Sequence, residues 1–266
     1  QTCALPICNV SALRRDGFVK ILEINFLVQI CLIFILAGLV KGVVGFGLPT
    51  IGIGLGALIS DIPTAMMLIL VPTFFTNIVQ VLGTGSVAAV LKKTWTFLLG
   101  AVVLIPVGLW MVVLVPEFPF ERLLGLSILI YSLTSLKGFN PVMRIKNNHF
   151  LGLALGLLNS VLTGMTGSMS VPGVMYLRAL QLSKEDLLCA MGMLFFTSTL
   201  ALGGSLWWLD RASGELSILS IVMCVPVALG VWVGMRVRGV LSEDQFKQIF
   251  LSAFTVLGAY LAVFGG

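Results

Sequence analysis

Charged residues are scarce in this sequence. They make up 10% of its 266 residues, whereas hydrophobic residues make up 58% and the mean hydropathy is +1.10. A water-soluble domain of this length carries about a quarter charged residues, so the charges present are too few to cover a surface that faces water. The composition excludes a soluble domain and predicts a polytopic membrane protein whose surroundings are the lipid bilayer.

Residues that bind metals or form disulfides are also scarce. The chain has one histidine, and the cysteines outside its first seven residues show no C-x-x-C spacing: Cys8, Cys31, Cys189 and Cys224. No disulfide framework, metal site, cofactor or enzymatic activity is predicted. The net charge of +5 comes from basic residues scattered over short loops, so no nucleic-acid partner is expected. Homo-oligomer formation is left open.

The beginning of the chain is treated separately. Residues 1–7, QTCALPI, read like a translated sequencing adapter, and there is no initiator methionine. A signal peptide is a competing interpretation, but no small-residue cleavage site follows a short apolar core. Residues 1–23 are therefore taken as an N-terminal segment outside the predicted membrane domain.

Eight apolar runs follow, at about 24–59, 62–91, 94–116, 120–136, 149–177, 187–209, 215–235 and 248–265. A bilayer core takes about 20 helical residues to cross, and these runs are too long for the strands of a membrane barrel. An all-α protein of about eight apolar spans is predicted. Short polar joints separate the runs, and Lys92 and Lys93 are expected to form one of them.

The runs divide into two similar halves, predicted as repeats at 24–138 and 149–266. Each half opens with a glycine-rich run: GLVKGVVGFG at 38–47 corresponds to GLLNSVLTGMTG at 156–167. Further on, FFTN at 74–77 corresponds to FFTS at 195–198. Broken helices at matching positions of two halves are typical of a transporter's binding site. Each repeat is predicted to be a glycine-broken, re-entrant helix pair followed by three transmembrane helices.

Charge placement indicates that the repeats are inverted. If each broken run returns to its starting side, three crossings remain per half and the second half is inverted. One side then holds Lys92, Lys93, Lys137, Arg144, Lys146, Arg178, Lys184, Arg236, Arg238 and Lys247. The other side holds Arg14, Arg15, Lys20, Arg122 and Arg211. The positive-inside rule makes the crowded side cytoplasmic, which predicts a multi-pass protein of the cytoplasmic (inner) membrane with both termini outside.

Two half-helices that meet at a glycine-rich break present backbone N–H groups and positive helix ends, which suit an anion. Inverted repeats are expected to bring the two breaks together near the midplane. The first break adds the cation of Lys41, and the second adds uncharged donors. The predicted substrate-binding residues are Gly38, Lys41, Gly42, Gly45, Gly47, Asn77, Asn159, Ser160, Thr163, Gly164, Thr166, Gly167 and Ser168. A small anionic substrate is predicted.

AGLVKGVVGFG at 37–47, followed by DIPTA at 61–65, resembles the first signature of the TauE/SafE sulfite-exporter family, and residues 156–172 resemble its second. The resemblance covers nearly all of the chain after residue 24. It implies a membrane transporter of sulfite, organosulfonates or related sulfur-containing or organic anions. Adjacent glycines are usual in both signatures, whereas Leu48 follows Gly47 here and Ser168 follows Gly167. Position 41 is often uncharged and polar, so Lys41 is expected to alter substrate preference.

No Asp or Glu lies in the middle of an apolar run. Carriers coupled to protons or sodium often use a buried carboxylate. The sequence therefore predicts coupling through backbone and hydroxyl ligands, or passive movement driven by gradient and voltage.

Several alternatives stay open. The glycines could serve helix packing alone, Lys41 could extend to the membrane surface, and Thr197 and Ser198 are expected to bond to their own helix. An intramembrane hydrolase would use Ser168 or Ser170 with the one histidine, His149, as base. A non-transporting scaffold or assembly factor is the other alternative function.

Overall fold

The computed structural model describes residues 24–136, 148–238 and 243–265. The N-terminal segment 1–23 and the basic residues of 137–147 lie outside this part. In chain order the helices are α1 (Ile24–Val44), α2 (Leu48–Gly56), α3 (Ile62–Gly83), α4 (Val87–Val103), α5 (Ile105–Leu114), α6 (Phe120–Leu136), α7 (His149–Thr166), a π-turn (Ser170–Val174), α8 (Met175–Ala179), α9 (Lys184–Trp208), α10 (Gly214–Val222), α11 (Cys224–Val237) and α12 (Glu243–Phe264).

The described part of the chain contains six helical spans long and apolar enough to cross a membrane: α1, α3, α4 with α5, α7, α9, and α10 with α11. Helices dominate because every backbone N–H in hydrocarbon must find a partner within the chain. Polar side chains mark where some helices begin, since Asp61, Ser183 and Ser213 each accept a hydrogen bond from a first-turn N–H. The prediction of an all-α polytopic membrane protein is confirmed.

The predicted joint at Lys92 and Lys93 is wrong. α3 ends at Gly83, and Gly85 adopts a left-handed φ of 61° in the turn before α4. Both lysines therefore lie within α4, where their side chains are exposed. The turn falls at the glycines because glycine adopts a positive φ without a steric cost.

The two halves contain the same order of elements. Each begins with a helix that breaks and resumes as a shorter one, and then come a continuous helix, a helix interrupted near its middle and a last helix. The matching elements are α1 and α7, α2 and the π-turn with α8, α3 and α9, α4–α5 and α10–α11, and α6 and α12.

Matching helices pack against each other in opposite directions. In α3 and α9, Phe74 contacts Phe196, with ring centroids 5.3 Å apart. In the turn just after α3 ends, Gly85 lies against Asp186 at the start of α9. In α6 and α12, the hydroxyl groups of Thr255 and Ser132 are 3.0 Å apart. The other end of α12 meets the start of α6, where Gly265 lies close to Arg122. Matching helices that run antiparallel are what an inverted repeat requires.

Small residues join the first helix of each half to the interrupted helix of the other half. A Cβ added to Gly42 of α1 would lie 3.0 Å from the Cα of Gly234 in α11. A Cβ added to Gly164 of α7 would lie 2.8 Å from the Cα of Gly108 in α5. The hydrophobic effect does not drive helix association within a membrane. Close backbone packing of this kind stabilises the association of the helices instead.

Ser220 on α10 supplies a hydrogen bond that the backbone of α3 lacks. Pro72 has no N–H, so the carbonyl of Leu68 lacks its usual helical partner. The Ser220 hydroxyl donates to this carbonyl at 2.9 Å and accepts from the Val71 N–H at 3.1 Å. The hydroxyl thus links α3 to α10 across the two halves.

We expect Ser220→Ala to lower the free energy of unfolding by about 1–3 kcal/mol, because it leaves buried backbone groups unpaired. Denaturant unfolding in detergent micelles measures this change. Ser217→Ala on the same helix is the control, since the Ser217 hydroxyl donates, among the described residues, only to the Ser213 carbonyl one turn earlier. The control is expected to stay within about 0.5 kcal/mol of the wild type. Equal effects of the two substitutions would contradict the role given to Ser220.

Candidate functional site

The first break separates α1 from α2 at two glycines with positive φ angles, 87° at Gly45 and 101° at Gly47. Glycine reaches these angles far more easily than other residues. Pro49 then fits the first turn of α2, where its missing N–H costs no helical hydrogen bond. The sequence thus ends one helix and begins another within three residues.

After this break, the chain turns back. The position of Gly45 lies against the side chain of Leu188, near the start of α9, where α3 also ends. From there α2 runs antiparallel to α3, since Gly52 lies against Ile69 and Gly56 against Ala65. α2 therefore ends where α3 begins, so α1 and α2 form a hairpin.

Lys41, in the last turn of α1, is buried and 6% exposed. Its ammonium group donates a hydrogen bond to the side-chain oxygen of Asn77 on α3. The side-chain NH₂ of Asn77 has no partner among the described residues. Lys41 does not extend to the membrane surface, so the alternative that it does is wrong. The pair therefore consists of a buried lysine and a neutral amide whose NH₂ donor is unused among the described residues.

The second break is held by a network of uncharged side chains. Gly167 has a φ of 69°, and the Asn159 side-chain oxygen accepts a hydrogen bond from the Gly173 N–H at 2.9 Å. Thr163 donates to the Ser168 carbonyl at 3.3 Å, and the Ser168 N–H donates to the Thr166 hydroxyl at 3.2 Å. The Ser168 hydroxyl is buried and has no partner in the described part of the chain.

Residues beside the two breaks contact α3 at different positions, and the expectation that the breaks come together near the midplane stays a prediction. Lys41, next to the first break, contacts Asn77, whereas Gly167 lies against Met66 on the same helix. Those two positions of α3 are about 16 Å apart at the usual helical rise.

The segments that follow the two breaks do meet. The hydroxyl oxygens of Thr50 and Ser170 lie 2.8 Å apart, and both residues are buried. Thr50 lies three residues after Gly47, and Ser170 three residues after Gly167. The segments that follow the two breaks therefore contact each other directly.

A sequence model of the sulfite exporter TauE/SafE family matches residues 30–261. The chain belongs to this family. It is a family of transporters and not of enzymes, so the resemblance seen in the two signatures is confirmed and the protein is a multi-pass membrane transporter. No curated protein and no solved structure matches the chain.

Four of the predicted binding residues of this TauE/SafE chain lie at contacts between helices. Gly38 and Gly42 pack on α11, and Gly164 packs on α5. The Ser160 hydroxyl accepts from the Leu104 N–H at the interruption between α4 and α5. Packing accounts for these positions without a ligand, and their role in binding stays a prediction.

Other buried polar side chains of the TauE/SafE protein were not predicted as binding residues. The hydroxyl groups of Thr73, Ser198 and Thr199 have no partner among the described residues. Thr197 bonds to its own helix as expected, with 2.9 Å to the Met193 carbonyl, but Ser198 does not. Unpartnered buried polar atoms are rare in folded proteins, so these hydroxyl groups are available to bond to a polar group that enters the site. The repeated FFTN and FFTS segments are the signal that could have identified Ser198, which matches Asn77.

The hydrolase alternative lacks support from the arrangement of its residues. His149 is the first residue of α7, where its Nδ1 lies 3.5 Å from the Thr96 hydroxyl. Ser168 and Ser170 follow the last residue of the same helix. α7 has 18 residues, so the proposed base and nucleophiles lie at opposite ends of it.

Proposed function

We propose that this protein moves sulfite, organosulfonates or related small sulfur-containing anions across the cytoplasmic membrane. The substrate passes the buried polar side chains between the two breaks. Lys41 and Asn77 lie near one end of this path and Ser168 near the other. Thr73, Ser198 and Thr199 supply further donors along α3 and α9.

The observation that carries the proposal is the environment of Lys41. A buried ammonium group is costly unless an opposite charge compensates it. Its hydrogen-bond partner is a neutral amide, and the acidic residues of the described spans lie at their ends or in their joints, as the sequence predicts. A bound anion would supply the missing charge, and the free NH₂ of Asn77 would donate a hydrogen bond to the same anion.

The inverted repeat is part of the proposal. The antiparallel pairs α3–α9 and α6–α12 support it, and the hairpin of α1 and α2 supports three full crossings in the first half. Both predicted repeats, 24–138 and 149–266, would then present a hairpin to the path from opposite sides.

Flux of labelled sulfite and of a labelled sulfonate into proteoliposomes tests the function. We expect saturable flux that is blocked by excess unlabelled anion, and no flux in liposomes without protein. Purified, folded protein with no flux of either anion would favour the scaffold alternative. Flux that required a proton gradient and titrated on a carboxylate would contradict the proposed coupling.

The topology gives a separate prediction. We expect alkaline phosphatase fused to the C-terminus to be active and green fluorescent protein fused there to be dark. Three crossings in each half place both termini on the same side, and the basic joints make the opposite side cytoplasmic. Fusions within 137–147 are the control and should show the opposite pattern. A fluorescent C-terminal fusion would contradict the inverted arrangement.

A further inference from the structure

Arg178, in α8, lies beside the first break although it belongs to the second half. Its guanidinium carbon is 5.4 Å from the ring centroid of Phe46 and 5.8 Å from that of Tyr131. Phe46 stands between Gly45 and Gly47, and its ring meets the Tyr131 ring edge-to-face at 6.1 Å. The arginine is therefore packed against the tip of the first hairpin by two buried aromatic rings.

The hydrogen-bonding capacity of Arg178 is largely unused within the described part of the chain. One nitrogen lies 3.5 Å from the Ser135 hydroxyl, which is a long hydrogen bond. A guanidinium group has five N–H donors at its edge, and stacking on aromatic faces leaves that edge open. The edge matches two oxygens of an oxyanion.

Arg178 also lies where an anion can reach it. The side chain is half-buried, and Ser135 is next to the last residue of α6, which leads into the basic joint 137–147. Gly45 lies against Leu188, so the first break is near the same end of the molecule as Lys184 at the start of α9. An anion attracted by the basic end would meet Arg178 before it reached the break.

The first half has no such residue. Its matching segment, α2 with the joint 57–61, contains no lysine or arginine and ends in Asp61. A cation follows the second break only, so the two ends of the path differ in charge.

We propose that Arg178 is a second anion-binding site that receives the sulfite or sulfonate group at the basic end of the path, before Lys41. This inference rests on the proposed function. The guanidinium binds two oxygens of the anion while Phe46 and Tyr131 hold it in place. Binding there selects anions with at least two equivalent oxygens on one atom, and it acts on substrate that arrives from the basic side.

Flux measured in both directions in oriented vesicles tests this site. We expect Arg178→Gln to raise KM about tenfold or more for anion presented at the basic side, with a smaller change from the other side. Arg178→Lys should lie between, since lysine keeps the charge but loses the two-pronged geometry. Arg236→Gln is the matched control: Arg236 also stacks on a ring, 4.3 Å from Trp232, but both residues are exposed on α11. The control should leave KM unchanged.

Thermal unfolding temperatures of the same variants without substrate distinguish a binding role of Arg178 from a purely structural role. If Arg178 only held the two broken segments together, Arg178→Gln would lower the unfolding temperature and reduce maximal flux equally in both directions, with KM unchanged. That result would overturn the inference. An unchanged KM with unchanged stability would also overturn it. If the wild-type protein transported neither anion, the proposed function itself would fail. If the wild-type protein transported the anions and Arg178→Gln did so with the same KM, only this site would be rejected.

Discussion

Lys41→Gln is expected to reduce sulfite flux by at least about tenfold, and up to about a thousandfold. Two unit charges about 4 Å apart interact by about 4 kcal/mol at an effective dielectric constant of 20. Each 1.4 kcal/mol changes an equilibrium constant about tenfold. Because the Lys41 ammonium is buried against a neutral amide, an anion is the group that gains most from its charge. Flux into proteoliposomes and substrate-induced thermal stabilisation both measure the loss.

Two variants make the Lys41 experiment decisive. Lys93→Gln removes an exposed lysine of α4 and lowers the net charge equally, so it should leave flux close to wild type. Lys41→Arg keeps the charge and should keep more flux than Lys41→Gln. If Lys41→Gln transported as well as wild type, Lys41 would have no part in binding, even if the transport function stood.

Much of the fold follows from the sequence because membrane helices have strong signals. The eight apolar runs correspond to the helices or broken helix pairs of the described chain, and the two glycine-rich segments contain the breaks. The error at Lys92 and Lys93 has a simple cause. Charge alone does not end a helix: the chain turns at Gly83 and Gly85, and exposed lysines fit within a helix near a membrane surface.

The site was harder to predict because it depends on which residues of the two broken segments, α3 and α9 contact one another. The pairing of Lys41 with Asn77, both predicted as binding residues, needs the register of α1 against α3, which the sequence does not contain. The contact between Thr50 and Ser170 depends on the return segments of both halves. Inverted symmetry predicts which helices match, but it carries no information on which residues of the two broken segments are in contact.

The path that we propose depends on both breaks. Lys41 lies beside the first break and contacts Asn77 on α3, whereas Gly167 of the second break lies against Met66 of the same helix. A substrate moving between them along α3 would pass Thr73, which is buried on that helix.

Gly47→Val is expected to reduce flux at least about tenfold through the backbone alone. The φ of 101° at Gly47 is a conformation that a β-branched residue avoids, and holding a residue in such a region costs about 1–3 kcal/mol. Space is not the obstacle, because an added Cβ would meet Val40, Ile51 and Phe250 at 3.7 Å or more, which is ordinary contact. The substitution therefore tests whether the shape of the first break is needed for transport.

Gly204→Val is the matched control for this experiment. Gly204 lies within α9, is exposed, and has no atom within 4 Å of an added Cβ. The same substitution there should leave flux near wild type, apart from the small cost of a β-branched residue in a helix. Membrane insertion and thermal stability of both variants are measured beside flux. Wild-type flux in Gly47→Val would show that the path does not depend on this break, and the hairpin of α1 and α2 would then serve packing alone.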